Sequence, residues 1–309
     1  MADDVACVDF GGGSVKLSRL RRGELVATRI LANTSSDALS TIASTIAGWG
    51  RVSAVAIAVP GVVDLAGSRL ESAHGKYGWL AGLDLRAWAT SELGVEPERC
   101  QVHNDARAAL QGEIVEPGAA PGAQDAVLMV LGTGIGTAAV CAGRMVVGST
   151  GHGGILGGHI TVDLDGPECL CGNRGCAEAL AGTWALPARA AEQPSWEQSS
   201  LRLLPEWGFR ELLLAEAAGD TCAARLVERC LDVWGTLLVT LCHQYDPTVV
   251  IVSGGPMNAA ERLLPPLHDR VRSRLWRGMP TPRIVVSTNP SWSVVRGLAA
   301  LAAPTEGDK

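Results

Sequence analysis

Lysine is nearly missing from this chain, three residues against 23 arginines, and no stretch gathers basic side chains into a stripe. With a net charge of −6, such a surface offers no footprint for a phosphate backbone, which argues against a nucleic-acid partner. Also missing are an apolar run of membrane-spanning length and a signal peptide, so a cytoplasmic protein without a membrane partner is expected. Neither the Walker A spacing nor the dinucleotide fingerprint occurs, so any bound phosphate must be held by another kind of loop. The scarcity of lysine draws notice to Lys16 and Lys76, both of which lie in polar, glycine-containing loops or beside them. What is present is ample apolar material: 47% of 309 residues, enough for the cores of two domains.

The most telling stretch runs from His159 to Glu178. One imidazole and three thiols, His159, Cys169, Cys171 and Cys176, are spaced by glycines that permit the tight turns of a tetrahedral site. A Cys3His set is a closed structural zinc site, since four protein ligands leave no position for a metal-bound water. A disulfide or a chance cluster of small buried thiols is the alternative, and His152 competes with His159 for the fourth place. Such a knot would fix the loop that carries Glu178.

Three short strands open the chain, Val5 to Phe10, Val15 to Leu20 and Glu24 to Leu31. Between the first two lies D-F-G-G-G-S-V-K, in which Asp9 ends a strand and Gly11, Gly12 and Gly13 let several backbone N–H groups point at one anion. Taken alone, this loop reads equally as a tight turn. A helix from Ser36 to Trp49 and a strand from Val52 to Val59 follow, then an irregular stretch, Arg69 to Trp79, containing His74, Gly75 and Lys76. A helix from Asp84 to Leu93 ends at Gly94, and a strand from Arg99 to His103 runs into Asn104, Asp105 and a helix from Ala106 to Glu116. Asp105 at that junction either caps the helix or offers its carboxylate to a hydroxyl that must lose a proton.

The Pro/Gly/Ala-rich stretch from Glu116 to Gln124 marks a boundary, giving domains over 1–117, completed by a closing helix at 292–305, and over 118–291. A second β-glycine-β device then appears, the strand Ala126 to Leu131 turning through Gly132, Thr133 and Gly134 into Ile135 to Cys141. Two such hairpins, one opening each half, suggest a duplicated domain with a ligand cleft between the copies. From Ala179 to Gln244 the chain reads as helical, with segments at Ser195 to Leu204, Phe209 to Ala218 and Thr221 to Tyr245, and with the tryptophans at 184, 196, 207 and 234 as core. A strand from Thr248 to Val252 leads into Gly254 and Gly255, where a flat ring such as adenine could approach the backbone; an ordinary turn fits as well.

Together these motifs resemble the ROK family of bacterial sugar kinases and regulators, within the actin-like ATPase superfamily. The resemblance is carried by Asp9 to Lys16, Pro60-Gly61 to Asp64, Asn104-Asp105, Gly132 to Gly136, C-x-C-G-N-R-G-C-x-E from Cys169 to Glu178, and Ser253-Gly254-Gly255. It implies a two-domain α/β actin-like ATPase (ribonuclease H-like) fold. It implies ATP and Mg²⁺ clamped by the two glycine loops, with Asp9, Lys16 and the Gly254-Gly255 pair on the nucleotide side. It further implies structural Zn²⁺, Asp105 as catalytic base, Asn104, Glu178 and His159 at the sugar, and a homodimer. The activity implied is transfer of the γ-phosphate to the primary hydroxyl of a hexose-like small molecule.

Departures from the family pattern bear on the substrate. Where the family has G-E-I-G-H, this chain has G-I-L-G-G-H, so Ile155 or Leu156 replaces a glutamate that grips hydroxyls; Gly75 and Lys76 replace an asparagine, His103 a glutamate, and Gly13 a threonine. Losing one charge-assisted hydrogen bond costs about 1.5–3 kcal/mol, roughly tenfold to a hundredfold in affinity. The altered rim points to a modified substrate, an amino sugar or a C7-cyclitol. Ordinary glucokinase activity, with ATP or polyphosphate as donor, and a catalytically idle sugar sensor are the alternatives. The few residues ahead of Asp9 leave no room for a DNA-binding segment, which speaks against a repressor.

Overall fold

In the computed structural model, which describes residues 4–32, 37–73, 77–287 and 289–302, two five-stranded sheets each grow from a buried apolar strand. The described residues of Met1–Gly122, Met145–Gly153 and Thr288–Lys309 form one compact unit, and those of Ala123–Arg144 and Gly154–Ser287 a second.

The first unit contains β1 (Asp4–Phe10), β2 (Ser14–Arg21), β3 (Glu24–Ala32), β4 (Ala54–Val59), a small ribbon of β5 (Val62–Val63) with β6 (Leu70–Ser72), and β7 (Cys100–Asn104). The main sheet runs β3-β2-β1-β4-β7, antiparallel through the opening meander and parallel across β1, β4 and β7. Strand β4 explains its two faces. Its sequence A-V-A-I-A-V is wholly buried, and a strand alternates its side chains. Val55, Ile57 and Val59 meet the bulky core under α1 (Ala38–Gly48) and α2 (Leu85–Leu93), while Ala54, Ala56 and Ala58 leave space for helices to come close on the other side. One helix there is α3 (Asp105–Ile114).

The second unit repeats the plan with β8 (Ala126–Leu131), β9 (Ile135–Cys141), β10 (Arg144–Met145), β11 (Val249–Gly254) and β12 (Arg283–Val286), in the order β10-β9-β8-β11-β12. Again β8 and β9 are antiparallel and β8, β11 and β12 parallel. Its helices are α4 (Ala177–Ala181), α5 (Leu186–Ala191), α6 (Phe209–Ala217), the long α7 (Thr221–Tyr245) and α8 (Ala260–Arg274). Helix α9 (Pro290–Leu301) returns to the first unit, placing Val295 and Leu298 on the alanine face of β4.

Several expectations need correction. The helix read from Ser36 starts at Ala38 with Asp37 at its cap position, and Ser36 lies outside the described residues, as do His74, Gly75 and Lys76. The stretch Arg69 to Trp79 is less irregular than expected, since it contains β6. Ser195 to Leu204 forms two 3-10 turns instead of a helix. Of the four tryptophans read as core Trp234 is fully buried and Trp184 packs, half-buried, against the cysteine cluster, while Trp196 and Trp207 are half-buried. Among the described residues, no helix is long and apolar enough to cross a membrane.

Candidate active site

In the first unit the polar groups collect where β1, β4 and β7 end side by side. Asp9 pairs with Ala58 on β4, and Val59 at the end of β4 pairs with Asn104 on β7. The Asn104-Asp105 ambiguity is resolved by the hydrogen bonds. Asn104, not Asp105, caps α3: its Oδ1 accepts from the N–H of Arg107 at 3.1 Å. The Asn104 amide also donates to the Gly61 carbonyl at 3.0 Å and to Asp105 Oδ1 at 3.1 Å. With only 5% of its surface exposed, Asn104 therefore orients Asp105 and has both amide hydrogens committed inside the protein.

Asp105 is the first residue of α3 and is half-buried. Its Oδ1 accepts from the N–H of Ala106 at 2.8 Å as well as from Asn104, and no group among the described residues holds Oδ2. Burial, and then the charge of Asp9, raise its pKa from 3.8 to about 7. Asp9 itself is 8% exposed, and burial lifts its pKa to about 6 against the opposing pull of Lys16, its register partner on β2. A carboxylate titrating near neutrality, fixed at one oxygen and open at the other, suits a general base.

The first glycine loop is pinned from below. Tyr77 donates its hydroxyl to the Gly11 carbonyl at 2.7 Å, and its ring meets Phe10 edge-on at 5.4 Å. A side chain built at Gly13 would meet nothing, so the surrounding fold gives no reason for glycine there; open approach to the loop does.

In the second unit, Gly132, Thr133 and Gly134 turn β8 into β9 and are stitched to the segment after α4. Thr183 donates its N–H and its hydroxyl to the Gly132 carbonyl, at 3.1 and 2.7 Å, and the N–H of Trp184 reaches the Thr133 carbonyl at 3.2 Å. Glu178 is locked to the same turn: Oε2 accepts from the N–H of Ile135 at 2.8 Å, and Oε1 accepts from the Trp184 indole at 3.2 Å. A methyl group at Gly134 would run into the Glu178 carboxylate, so any side chain there would have to displace Glu178 from these bonds.

Glu178 follows the cysteine knot directly, with Cys176 at the cap position of α4. The ligand atoms of His159, Cys169, Cys171 and Cys176 all lie within 4.8 Å of one another. His159 Nδ1 is 3.6 Å from Cys169 Sγ, and the Cys171 and Cys176 sulfurs are 3.7 Å apart. Those spacings match the edges of a tetrahedron with metal–ligand bonds of roughly 2.0–2.3 Å, so the residues fit zinc. His152, the rival ligand, is exposed and bonds instead to Thr150. Just before His159, Ile155 is buried and Leu156 stands 42% exposed, so of the two only Leu156 offers its side chain to the surface.

Gly254 has a reason of its own. It sits at φ 103° with its Cα packed on the Leu131 carbonyl, a requirement of the β11–β8 pairing. Gly255, by contrast, faces open space. Gly75 and Lys76, expected at the substrate rim, lie outside the described residues.

Comparison with known proteins now decides the family: the model of the ROK family matches residues 5–304. The chain belongs to the ROK family. Among curated relatives, this ROK chain is 36% identical over 175 residues to a glucokinase of Thermotoga maritima, covering 55% of each protein. It is 25% identical over 235 residues to the transcriptional regulator NagC of Escherichia coli, covering 75% of this chain and 56% of NagC. The chain thus matches about half the length of these relatives. Among solved structures, a ROK glucokinase of Streptomyces griseus in complex with glucose and AMPPNP superposes with a TM-score of 0.80, 26% identity, and 96% and 98% of the two chains covered. That neighbour carries the actin-like ATPase fold, and the two sheets here, alike in strand order, correspond to the two α/β halves of that fold.

Two residues bonded near these groups carry contacts that the sequence reading missed. Trp184, read there as core, reaches Glu178 through the single polar atom of its indole, which an apolar pattern hides. Arg107 could have been seen, as a lone cation inside an alanine-rich helix; it is 8% exposed and donates to the carbonyls of Gly151 and Gly153 at 2.9 and 2.6 Å.

Proposed function

We propose that this chain is an ATP-dependent kinase acting on the primary hydroxyl of a hexose-like substrate, and that the substrate is a modified one, an amino sugar or a C7-cyclitol. The observation that carries the reading is Asp105, a carboxylate oriented through Oδ1, open at Oδ2 and shifted to about 7. In the reaction Oδ2 takes the proton of the attacking hydroxyl while that oxygen bonds to the γ-phosphorus and the bond to ADP breaks. The relatives named glucokinase, one of them solved with glucose and AMPPNP, support the class of donor and acceptor.

The chain's own residues supply positioning. Asn104 orients the base, the glycine loops offer backbone donors to phosphates, and Asp9 would hold Mg²⁺, whose charge neutralises the transferring group. Zinc on His159, Cys169, Cys171 and Cys176 would serve as a brace for Glu178, a hydroxyl acceptor. The finer substrate assignment rests on Leu156, an exposed apolar side chain where the family pattern has a carboxylate.

ADP release should be measured across glucose, mannose, N-acetylglucosamine, N-acetylmannosamine, kanosamine and C7-cyclitols. A modified substrate outrunning glucose by about a hundredfold supports the reading of Leu156, since one lost charge-assisted hydrogen bond is worth about that much. Glucose in first place would reduce the chain to an ordinary glucokinase. Tight sugar binding with no turnover on any acceptor would favour the sensor reading, which the similarity to NagC keeps open.

A further inference from the structure

Arg107 lies on α3 just past Asp105 and is a buried cation with no part in the chemistry assigned so far. Only 8% of its surface is exposed, burial holds its pKa below the ordinary value, and no carboxylate among the described residues pairs with it. Its Nε is buried without a partner among the same residues. The side-chain hydrogen bonds all run through Nη2, which donates to the carbonyls of Gly151 and Gly153 at 2.9 and 2.6 Å and lies 3.4 Å from that of Val147. A charge is kept out of water at a cost, which charge-assisted bonds of this kind offset. What they hold is a strap, Met145–Gly153, that belongs to the first unit although Arg144 before it and Gly154 after it belong to the second. Gly148 and Gly151 turn the strap through the left-handed region, at φ 73° and 79°, and the N–H of Gly153 closes it on the Val147 carbonyl at 2.8 Å.

The strap also leans on β5, since a methyl group at Gly151 would strike the Val63 carbonyl. Strand β5 directly follows Gly61, whose carbonyl accepts the Asn104 amide at 3.0 Å, and Asn104 in turn donates to Asp105. These contacts close a ring within the first unit. It runs from the Arg107 side chain through the strap, β5, Gly61 and Asn104, and returns to Arg107 where Asn104 Oδ1 accepts its N–H at 3.1 Å. We infer that Arg107 is a positioning residue for the base: by holding the strap against β5 it keeps the Gly61 carbonyl in place, and through it Asn104 and the open Oδ2 of Asp105. The inference rests on the kinase reading and adds to it a residue that touches neither donor nor acceptor. If the strap lifts, β5 loses its support, the Gly61 carbonyl moves, and an Asn104 freed of that bond can turn together with the carboxylate it orients. Because one nitrogen makes all the bonds, the planar fork of arginine is not required, and an ammonium with three donors can stand in for it.

The test compares full-length Arg107→Met, which keeps an apolar stem but no donor, with Arg107→Lys, which restores donors and charge. In Arg107→Met kcat should fall by up to about a hundredfold, the cost of misplacing a reacting group by about an ångström, while the KM for the donor stays as it was. Arg107→Lys should recover most of that loss. Gly151→Ala leaves Arg107 in place but pushes the strap off Val63, so it should lower kcat in the same way, and it carries the test if Arg107→Met does not fold. Hydrogen exchange supplies a readout that needs no turnover: the amides of residues 147–153 and 61–63 should exchange faster in Arg107→Met and regain protection in Arg107→Lys. Full kcat in folded Arg107→Met, a lysine variant no better than the methionine one, or unchanged exchange at the strap would each overturn the inference. Wild-type protein that phosphorylates no acceptor would sink the kinase reading alone, and exchange would still decide whether Arg107 holds the strap and β5.

Discussion

A single proton governs the chemistry assigned to Asp105. Its pKa is raised from 3.8 to about 7, first by burial and then by the charge of Asp9, and a base acts only when ionised. Turnover should therefore fall as pH drops through about 7, by about tenfold per unit below that point, in a kcat/KM profile. Asp9→Asn removes the second cause, so its residual turnover should titrate at lower pH; an unmoved midpoint would mean that burial alone sets the value. Asp105→Asn should cost at least about a hundredfold in kcat, the usual worth of general-base catalysis, without loss of ligand binding. The same shift carries a stability cost of opposite sense. Between about pH 4 and 7 the folded chain keeps a proton that the unfolded chain has lost, so stability falls as pH rises through that window. At pH 8 the Asp105→Asn variant should thus melt above the wild type, by several degrees in calorimetry, while being inactive.

Among the elements, the pair α3 and α9 shows what small residues accomplish. A methyl group at Gly112 would strike the Ser293 carbonyl, and one at Gly297 the Ala108 carbonyl, so the two backbones touch directly. The alanine face of β4 makes room for this pair, and α3 carries Asp105 at its first residue. Gly112→Ala and Gly297→Ala should each destabilise by about 1–3 kcal/mol or more, read as a lower urea midpoint with an unchanged slope. Short apolar runs ended by glycine turns made the central strands of both sheets legible from sequence, and the Asp84 and Gly94 signals bounded α2 closely. Ser195 to Leu204 failed for a reason that lies far along the chain. The carboxylate of Asp220, at the head of α7, accepts from the N–H of Ser200 at 2.8 Å and from the Ser199 hydroxyl at 2.9 Å, drawing the segment into 3-10 turns. Likewise no local pattern says whether Asn104 or Asp105 caps α3; the Gly61 carbonyl, 43 residues earlier, helps to decide it.

At the scale of the whole molecule, the duplication was visible in two glycine hairpins, and the repeated sheet order bears it out. The halves have since been furnished differently. The first holds the titrating pair Asp9 and Asp105, whereas the second holds the cysteine knot and Glu178. Glu178 links knot to loop within its own unit, two residues after Cys176 and bonded to the N–H of Ile135. Structural zinc contributes about 10–16 kcal/mol in small zinc domains, far more than any single contact described above. Native protein should accordingly contain one zinc per chain, and its removal by a chelator should act along that link. Hydrogen exchange should accelerate from His159 through Glu178 and also at Gly134 and Ile135, while β1, β4 and β7 keep their protection. Uniform acceleration across both units would mean that the knot supports the whole fold. No acceleration at Gly134 and Ile135 would mean that Glu178 holds its place without the metal, and zinc would then have no part in positioning it.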